Sequence, residues 1–197
     1  EVDCAAVGGA CEKGSCTVDW KPPRKGDVVI SEVMVRPETD RGSSCWFELT
    51  NVSDHAVDIA GCLFNGSDKS VMEVWRMSPY APAVIPPGGA FVIGSIPDIA
   101  ENGGLSPDAV HNFYISIVGY DEGTSDYLSM TCHNELIDEV SWGREQNKLE
   151  FGASLQLDPG AYDHEKNDEA SNWCNDSTSR YGDGGNGTPG EKNPDCP

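Results

Sequence analysis

The segment from residue 46 to residue 64 constrains the fold more than any other part of the chain. Apolar Phe47 and Leu49 alternate with polar neighbours, which is the two-residue period of a β-strand with one buried face. A polar, turn-prone stretch follows at residues 53–55, and the alternation then resumes. Gly61 interrupts the alternation, so the segment predicts a strand, a turn, a second strand, a bend and a third strand. It carries no catalytic motif.

The rest of the chain repeats this pattern in short pieces. Only 38% of the 197 residues are hydrophobic, while Gly (22) and Pro (13) are plentiful, which disfavours long helices and favours an all-β fold. Short strands without helices between them are typical of a β-sandwich. Further strands are predicted at residues 28–35, 71–77, 90–94, 113–118, 127–131, 136–142 and 154–157. Residues 95–112 are predicted to form an irregular loop, and residues 133–134 the turn of a hairpin. Beyond residue 158 the sequence predicts a long acidic loop region.

The charge excludes two classes of partner. The chain has 33 acidic and 13 basic residues and a formal net charge of −20. Such a surface repels phosphate backbones and anionic lipid headgroups, so we expect no nucleic-acid binding. The sequence also lacks an apolar run of the roughly 20 residues that a membrane helix needs, so we expect no membrane insertion.

Eight cysteines predict disulfide bonds and an oxidising compartment. No C-x-x-C pair occurs among them, which argues against a zinc ribbon or a thioredoxin-like centre. The start at Glu1 is expected for a secreted chain without its signal peptide, although a chain trimmed for another reason would begin in the same way.

We predict a pairing of the cysteines from what each bridge would connect, although eight cysteines allow 105 different pairings. Cys174–Cys196 would close the acidic tail into a loop, and Cys62–Cys132 would join strands of the body. The other four would bind an N-terminal arm, residues 1–25, to itself and to the body, residues 26–197. These four are Cys4, Cys11, Cys16 and Cys45.

Several blocks of the body occur in a recognisable order, at residues 26–33, 46–51, 57–61, 85–93, 135–143, 152–159 and 187–190. The first three resemble the opening, the fourth the middle and the last three the end of the lamin tail domain, in its secreted bacterial form. The resemblance covers residues 26–193 and implies an immunoglobulin-like β-sandwich. In secreted bacterial members of this family the domain occurs as an accessory or surface module, sometimes beside hydrolases or nucleases. The family has no known catalytic residues in this domain.

No motif in the sequence supports catalysis. The four histidines are scattered, and neither H-E-x-x-H nor G-x-S-x-G occurs. We therefore expect no enzyme. Calcium is the best chemical hypothesis, because acidic loops supply the oxygen ligands that this ion prefers, although solvated loops are the simpler interpretation. The candidate ligands are Asp163, Glu165, Asp168 and Glu169, and residues 121–126 form a second acidic loop.

The sequence contains candidate sites both for attaching glycans covalently and for binding them. Asn51, Asn65, Asn175 and Asn186 each begin an Asn-x-Ser/Thr sequon, which a eukaryotic secretory pathway would glycosylate. Five tryptophans could form an aromatic sugar-binding face, although burial in the core is the commoner fate. They are Trp20, Trp46, Trp75, Trp142 and Trp173.

These observations favour a non-catalytic, secreted structural or adhesive module of the bacterial cell surface. In a sharper form it is a subunit of an extracellular filament or other assembly, with the N-terminal arm donating a strand to another copy. Its partners would be other copies of itself or a cell-surface protein or glycan. The alternatives are a surface-displayed glycan- or calcium-binding module and an accessory domain of a secreted hydrolase.

Overall fold

The computed structural model describes residues 10–12, 15–17, 20–39, 44–66, 71–73, 83–110, 125–143 and 149–197. In these residues the protein is all-β, with two short 3-10 helices at Pro159–Ala161 and Ala170–Asn172 and no α-helix. None of the described helices is long and apolar enough to cross a membrane. The described strands, numbered in chain order, are β1 (Ala10–Glu12), β2 (Ser15–Thr17), β3 (Trp20–Lys21), β4 (Val28–Met34), β5 (Trp46–Asn51), β6 (Ala56–Asp58), β7 (Leu63–Gly66), β8 (Val71–Glu73), β9 (Val84–Ile85), β10 (Ala90–Gly94), β11 (Ala109–Val110), β12 (Ser125–Cys132), β13 (Glu135–Gly143), β14 (Leu155–Leu157) and β15 (Trp173–Asn175).

The two largest sheets form the body of the protein. A six-stranded sheet has the order β11-β10-β5-β4-β14-β15, and a four-stranded sheet has the order β13-β12-β7-β8. A small sheet, β3-β6-β9, joins residues 20–21 of the arm to the body through parallel pairing of Trp20 with Ala56. Strands β1 and β2 form a separate hairpin.

The two largest sheets share one hydrophobic core. Phe47 on β5 and Phe64 on β7 are both fully buried, and their ring centroids lie 5.0 Å apart. The disulfide Cys62–Cys132 lies in the same core, with a Cα–Cα distance of 4.3 Å. Because the phenylalanine pair joins residues of the two sheets and the disulfide joins two segments of the four-stranded sheet, the core is made of segments that are distant in sequence.

A carboxyl group also connects the two sheets. Asp138 on β13 accepts a hydrogen bond from the backbone N of Ile30 on β4 (2.7 Å) and two from Asn167 Nδ2 (2.7 and 2.9 Å). Burial raises the pKa of Asp138 to about 7, because a charged carboxylate is poorly solvated there.

Most of the predicted strands are confirmed. The hairpin predicted at residues 133–134 is present, and His133 and Asn134 both have the positive φ that such a tight turn requires (51° and 66°). Of the strand predicted at residues 71–77, the structure describes residues 71–73, which form β8. The strand predicted at residues 113–118 lies outside the described residues.

Two loop predictions are wrong. Residues 95–112 contain β11, which pairs in parallel with β10. The region after residue 158 contains β15, which pairs with β14 and buries Trp173. Burial of the apolar tryptophan side chain stabilises the pairing of this otherwise polar segment with the sheet.

Candidate functional site

Two glutamates are buried side by side on the face of the six-stranded sheet that lies opposite the core. Glu32 on β4 and Glu48 on β5 are opposite each other in the strand register, and both side chains are 0% exposed. A shift of register between Ile30 and Glu32 places them in this position. Like charges directly opposite each other in a sheet are destabilising, so this pair needs a chemical explanation.

The carboxyl group of Glu32 is held by three groups. Ser154 Oγ donates a short hydrogen bond to Glu32 Oε1, and the backbone N of Thr188 donates to the same oxygen (3.0 Å). Thr188 Oγ1 lies 3.2 Å from Glu32 Oε2 and 2.9 Å from Asn193 Oδ1. Asn193 Oδ1 is an acceptor, because the Nδ2 of the same side chain donates to the carbonyls of Ser31 and Leu157.

The hydroxyl of Thr188 indicates where a proton is held. A hydroxyl has one hydrogen, and both of its neighbours are acceptors if Glu32 is ionised. A proton on Glu32 Oε2 resolves this conflict, because Glu32 then donates to Thr188 Oγ1, which donates to Asn193 Oδ1. The geometry therefore fits a neutral carboxylic acid at Glu32.

Glu48 is held in a similar way. Ser31 Oγ donates to Glu48 Oε1 (2.8 Å), and the backbone N of Gly190 donates to Glu48 Oε2 (2.7 Å). Thr50 Oγ1 donates to Ser31 Oγ (2.9 Å), so a chain of hydroxyls leads from Thr50 to the glutamate.

The pKa values of the pair follow from this burial. Desolvation raises the pKa of Glu32 to about 7 and, together with the nearby charge of Glu32, that of Glu48 to about 8. The hydrogen bonds to both carboxyl groups lower the pKa but do not compensate for the lost hydration. Near neutral pH the pair therefore retains at least one proton.

Residues 187–193, which we call the C-terminal strap, cover this pair. Gly187 packs so closely that a Cβ atom there would lie 3.0 Å from both Glu32 Oε1 and the ring of Trp46. The disulfide Cys174–Cys196 holds the chain just beyond the strap. Before the strap, Tyr181 packs edge-on against Trp46, with ring centroids 5.5 Å apart.

A groove of about 530 Å³ lies beside the strap. Its lining comes from residues 50–53, residues 88–90, Tyr162 and residues 190–192. Burial raises the pKa of Tyr162 to about 12, and its hydroxyl accepts a hydrogen bond from the backbone N of Asn193 (3.3 Å). The lining combines hydroxyls, glycine backbone and one aromatic ring with Glu191 and Lys192, whose opposite charges offset each other, and such a lining suits a neutral polar ligand.

Both disulfides predicted within the body are present, Cys62–Cys132 and Cys174–Cys196. Cys11 and Cys16 are register partners in the hairpin of β1 and β2. Cys45 is buried, and its Sγ donates to the carbonyl of Val35 (3.4 Å). Cys4 lies outside the described residues, so the pairing of the arm stays a prediction.

The four candidate calcium ligands are not brought together. Asp163 Oδ1 accepts hydrogen bonds from the backbone N atoms of Glu165 (2.9 Å) and Lys166 (3.2 Å), so this carboxylate stabilises a local turn. Asp168 and Glu169 are exposed. Among the described residues, no three His, Cys, Asp or Glu side chains form a group that could hold a metal ion. Residues 121–124, which belong to the second acidic loop, lie outside the described residues.

The tryptophans do not form one exposed face. Trp46, Trp142 and Trp173 are buried, Trp20 is 39% exposed, and Trp75 is outside the described residues.

The sequon at Asn51 cannot be glycosylated in the folded protein, because the asparagine side chain is buried. Asn51 is 0% exposed, and its Nδ2 donates to the carbonyls of His55 and Ile85 (both 2.8 Å). A glycan on this nitrogen is incompatible with the folded domain.

Sequence reasoning missed the glutamate pair. The period of the strand places Glu48 on a polar face, and polar faces are normally exposed. One feature of the sequence pointed toward the cover of this pair. Residues 187–190 lack the pattern of a strand, yet they are one of the blocks that resemble the lamin tail domain.

The described residues thus define an all-β, disulfide-bonded domain with a covered acidic pair and an adjacent groove. No model of a known protein family matches the chain, and no curated protein matches it either.

Proposed function

We propose that this chain is a non-catalytic, secreted structural or adhesive module of the bacterial cell surface, folded as an immunoglobulin-like β-sandwich. The resemblance to the lamin tail domain supports the sandwich and the bacterial surface. The shared core of the two largest sheets supports the sandwich independently.

One observation carries the non-catalytic assignment. Among the described residues, the acidic side chains with the most strongly raised pKa values are Glu32, Glu48 and Asp138. Strongly shifted carboxyl groups would normally suggest general acid–base chemistry. Here all three are at most 3% exposed, and each holds two chain segments together by hydrogen bonds. They are structural connections rather than groups that a substrate can reach.

The compartment is inferred from the disulfides and the charge. Two disulfides are expected to persist only in an oxidising environment. A net charge of −20 keeps the surface soluble, and extracellular salt screens its self-repulsion.

Self-assembly is the version of this proposal that is easiest to test. Residues 20–21 already pair with β6 of their own chain, so a donated segment would have to come from earlier in the arm. Sedimentation velocity of the oxidised chain from micromolar to millimolar concentration should show concentration-dependent oligomers. A strict monomer throughout would eliminate assembly, while binding of the labelled monomer to bacterial cell envelopes would retain adhesion.

The groove favours a second candidate function, the binding of a neutral glycan. A glycan array with the labelled domain tests it, with Tyr162→Ala as the variant that removes the aromatic wall. Tyr127→Ala is the matched control, because Tyr127 lies on β12 and does not line the groove. Loss of array binding in the first variant alone would support the groove. Equal binding by both variants, or none by the wild type, would reject it.

A further inference from the structure

We propose that the C-terminal strap, residues 187–193, is a pH-sensitive cover that is closed while the Glu32–Glu48 pair keeps a proton and opens when both carboxyl groups are ionised. The proposal does not depend on any ligand in the groove.

The strap is fastened to the body through the two carboxyl groups in its middle and through other hydrogen bonds at its two ends. Thr188 contacts Glu32 through its backbone N and its hydroxyl, and Gly190 contacts Glu48 through its backbone N. At the ends of the strap, the backbone N of Gly187 donates to the carbonyl of Ser179 (2.7 Å), and Asn193 donates to two backbone carbonyls and to the hydroxyl of Tyr162. The contacts of Thr188 and Gly190 are the ones that depend directly on the charge state of the pair, so the middle of the strap is the part that responds to pH.

The groups around the pair oppose a second negative charge. The carboxylates outside the pair that act on it most strongly are Asp176, directly after β15, and Asp108, directly before β11. Tyr162 and Tyr181 face the pair from the other elements packed there, and both are neutral because burial raises the pKa of each phenol. Ionisation of both glutamates thus places two charges in a site where the neighbouring charges that raise their pKa values most are negative.

Opening the strap relieves this repulsion without unfolding the domain. The strap lies between the carboxyl groups and solvent, whereas the shared core lies on the opposite face of the sheet. Lifting the strap lets water reach both glutamates. The bond Cys174–Cys196 and the hydrogen bond from the backbone N of Cys196 to Asp158 Oδ2 (2.9 Å) keep its end attached.

The direction of the switch follows from the raised pKa values of the two acids. Below about pH 7 the pair holds a proton and the strap is closed, and above about pH 8 the closed state must release both protons or open. If opening is linked to the loss of one proton, the opening equilibrium rises about tenfold per pH unit. Residues 190–192 form one wall of the groove, so the groove exists only in the closed state.

Amide hydrogen exchange of the oxidised full chain tests the proposal between pH 6 and pH 9. After correction for the intrinsic exchange rate, the protection factors of the Thr188 and Gly190 amides should fall about tenfold per pH unit near the upper end. Amides in the ladder between β12 and β13, such as Leu128 and Val140, should keep their protection. Loss of protection in all four amides together would overturn the proposal, because it would indicate global unfolding.

Glu32→Gln is the decisive variant, because it imitates the protonated acid. Its amide nitrogen can donate to Thr188 Oγ1, and its oxygen can accept from Ser154 Oγ and the backbone N of Thr188. We expect at least tenfold more protection of the Gly190 amide at pH 9 than in the wild type. The matched control is Glu191→Gln, which removes an exposed charge from the strap itself and should leave the wild-type pH profile unchanged.

Two results would contradict the proposal. One is a Glu32→Gln profile that falls with pH in parallel with the wild type. The other is a wild-type profile at Gly190 that stays flat from pH 6 to pH 9, and this measurement decides the question even if the variant does not fold.

Discussion

Replacing Phe64 by alanine tests the shared core. Phe64 is fully buried and lies 5.0 Å from Phe47 of the other large sheet, measured between ring centroids. Removing a buried phenylalanine side chain costs about 3–5 kcal/mol through lost transfer free energy and the cavity left behind. The aromatic pair contributes about 0.5–1.5 kcal/mol beyond its buried area, which favours the upper part of that range. We expect the free energy of unfolding to fall by about 4 kcal/mol.

The same change at Phe151 is a matched control. Phe151 is 59% exposed and lies against the Arg36 guanidinium, whose Cζ is 5.3 Å from the ring centroid. An exposed cation–π contact contributes about 0.5–1 kcal/mol, so Phe151→Ala should cost no more than that.

Urea unfolding of the oxidised protein at constant pH measures both variants. Domains of this kind have a total stability of about 5–15 kcal/mol, so the expected difference is easily resolved. A shared core requires a much larger loss for Phe64→Ala than for Phe151→Ala. If both variants lose less than about 1 kcal/mol, the two sheets do not depend on each other and the sandwich is refuted.

Three further predictions concern the polar and covalent contacts. The raised pKa values of the glutamate pair mean that the folded protein keeps protons that the unfolded chain releases above pH 4.5, so stability should fall by about 6 kcal/mol between pH 5 and pH 8. Urea unfolding at both pH values checks this, and a stability that rises over the interval would contradict it. The disulfides close loops with sequence separations of 70 and 22 residues, so removing them by paired alanine substitution should cost about 4 and about 3 kcal/mol. Equal unfolding midpoints of variants and parent would refute this estimate. Because the acidic side chains at residues 163–169 do not converge, we expect EDTA to leave the melting temperature unchanged, and a decrease restored by calcium would revive the calcium hypothesis.

The strands were predictable because their signal is local. The alternation around Phe47 and Leu49 specifies a strand with one buried face, and β5 occupies that segment. Cys174 and Cys196 flank a segment rich in glycine and acidic residues, which limits the number of sensible partners for each. Both inferences need only residues that are close in sequence.

The candidate site was not predictable in the same way. A polar residue in an alternating strand suggests a solvated face, yet Glu48 is covered by a strap that lies more than 130 residues further along the chain. Its position opposite Glu32 depends on the register between β4 and β5, which the β-bulge near Ile30 shifts. Register and long-range cover come from tertiary packing, and a local pattern contains neither.

The burial of Asn51 has a practical consequence for making this protein. Oligosaccharyltransferase acts on chains that are still unfolded, and the sequon at Asn51 would be accessible to it at that stage. A sugar attached there would take the place of the hydrogen bonds to His55 and Ile85 and would prevent the turn from closing. Expression in a eukaryotic secretory host should therefore produce a modified, misfolded fraction, whereas a bacterial periplasm should yield homogeneous material.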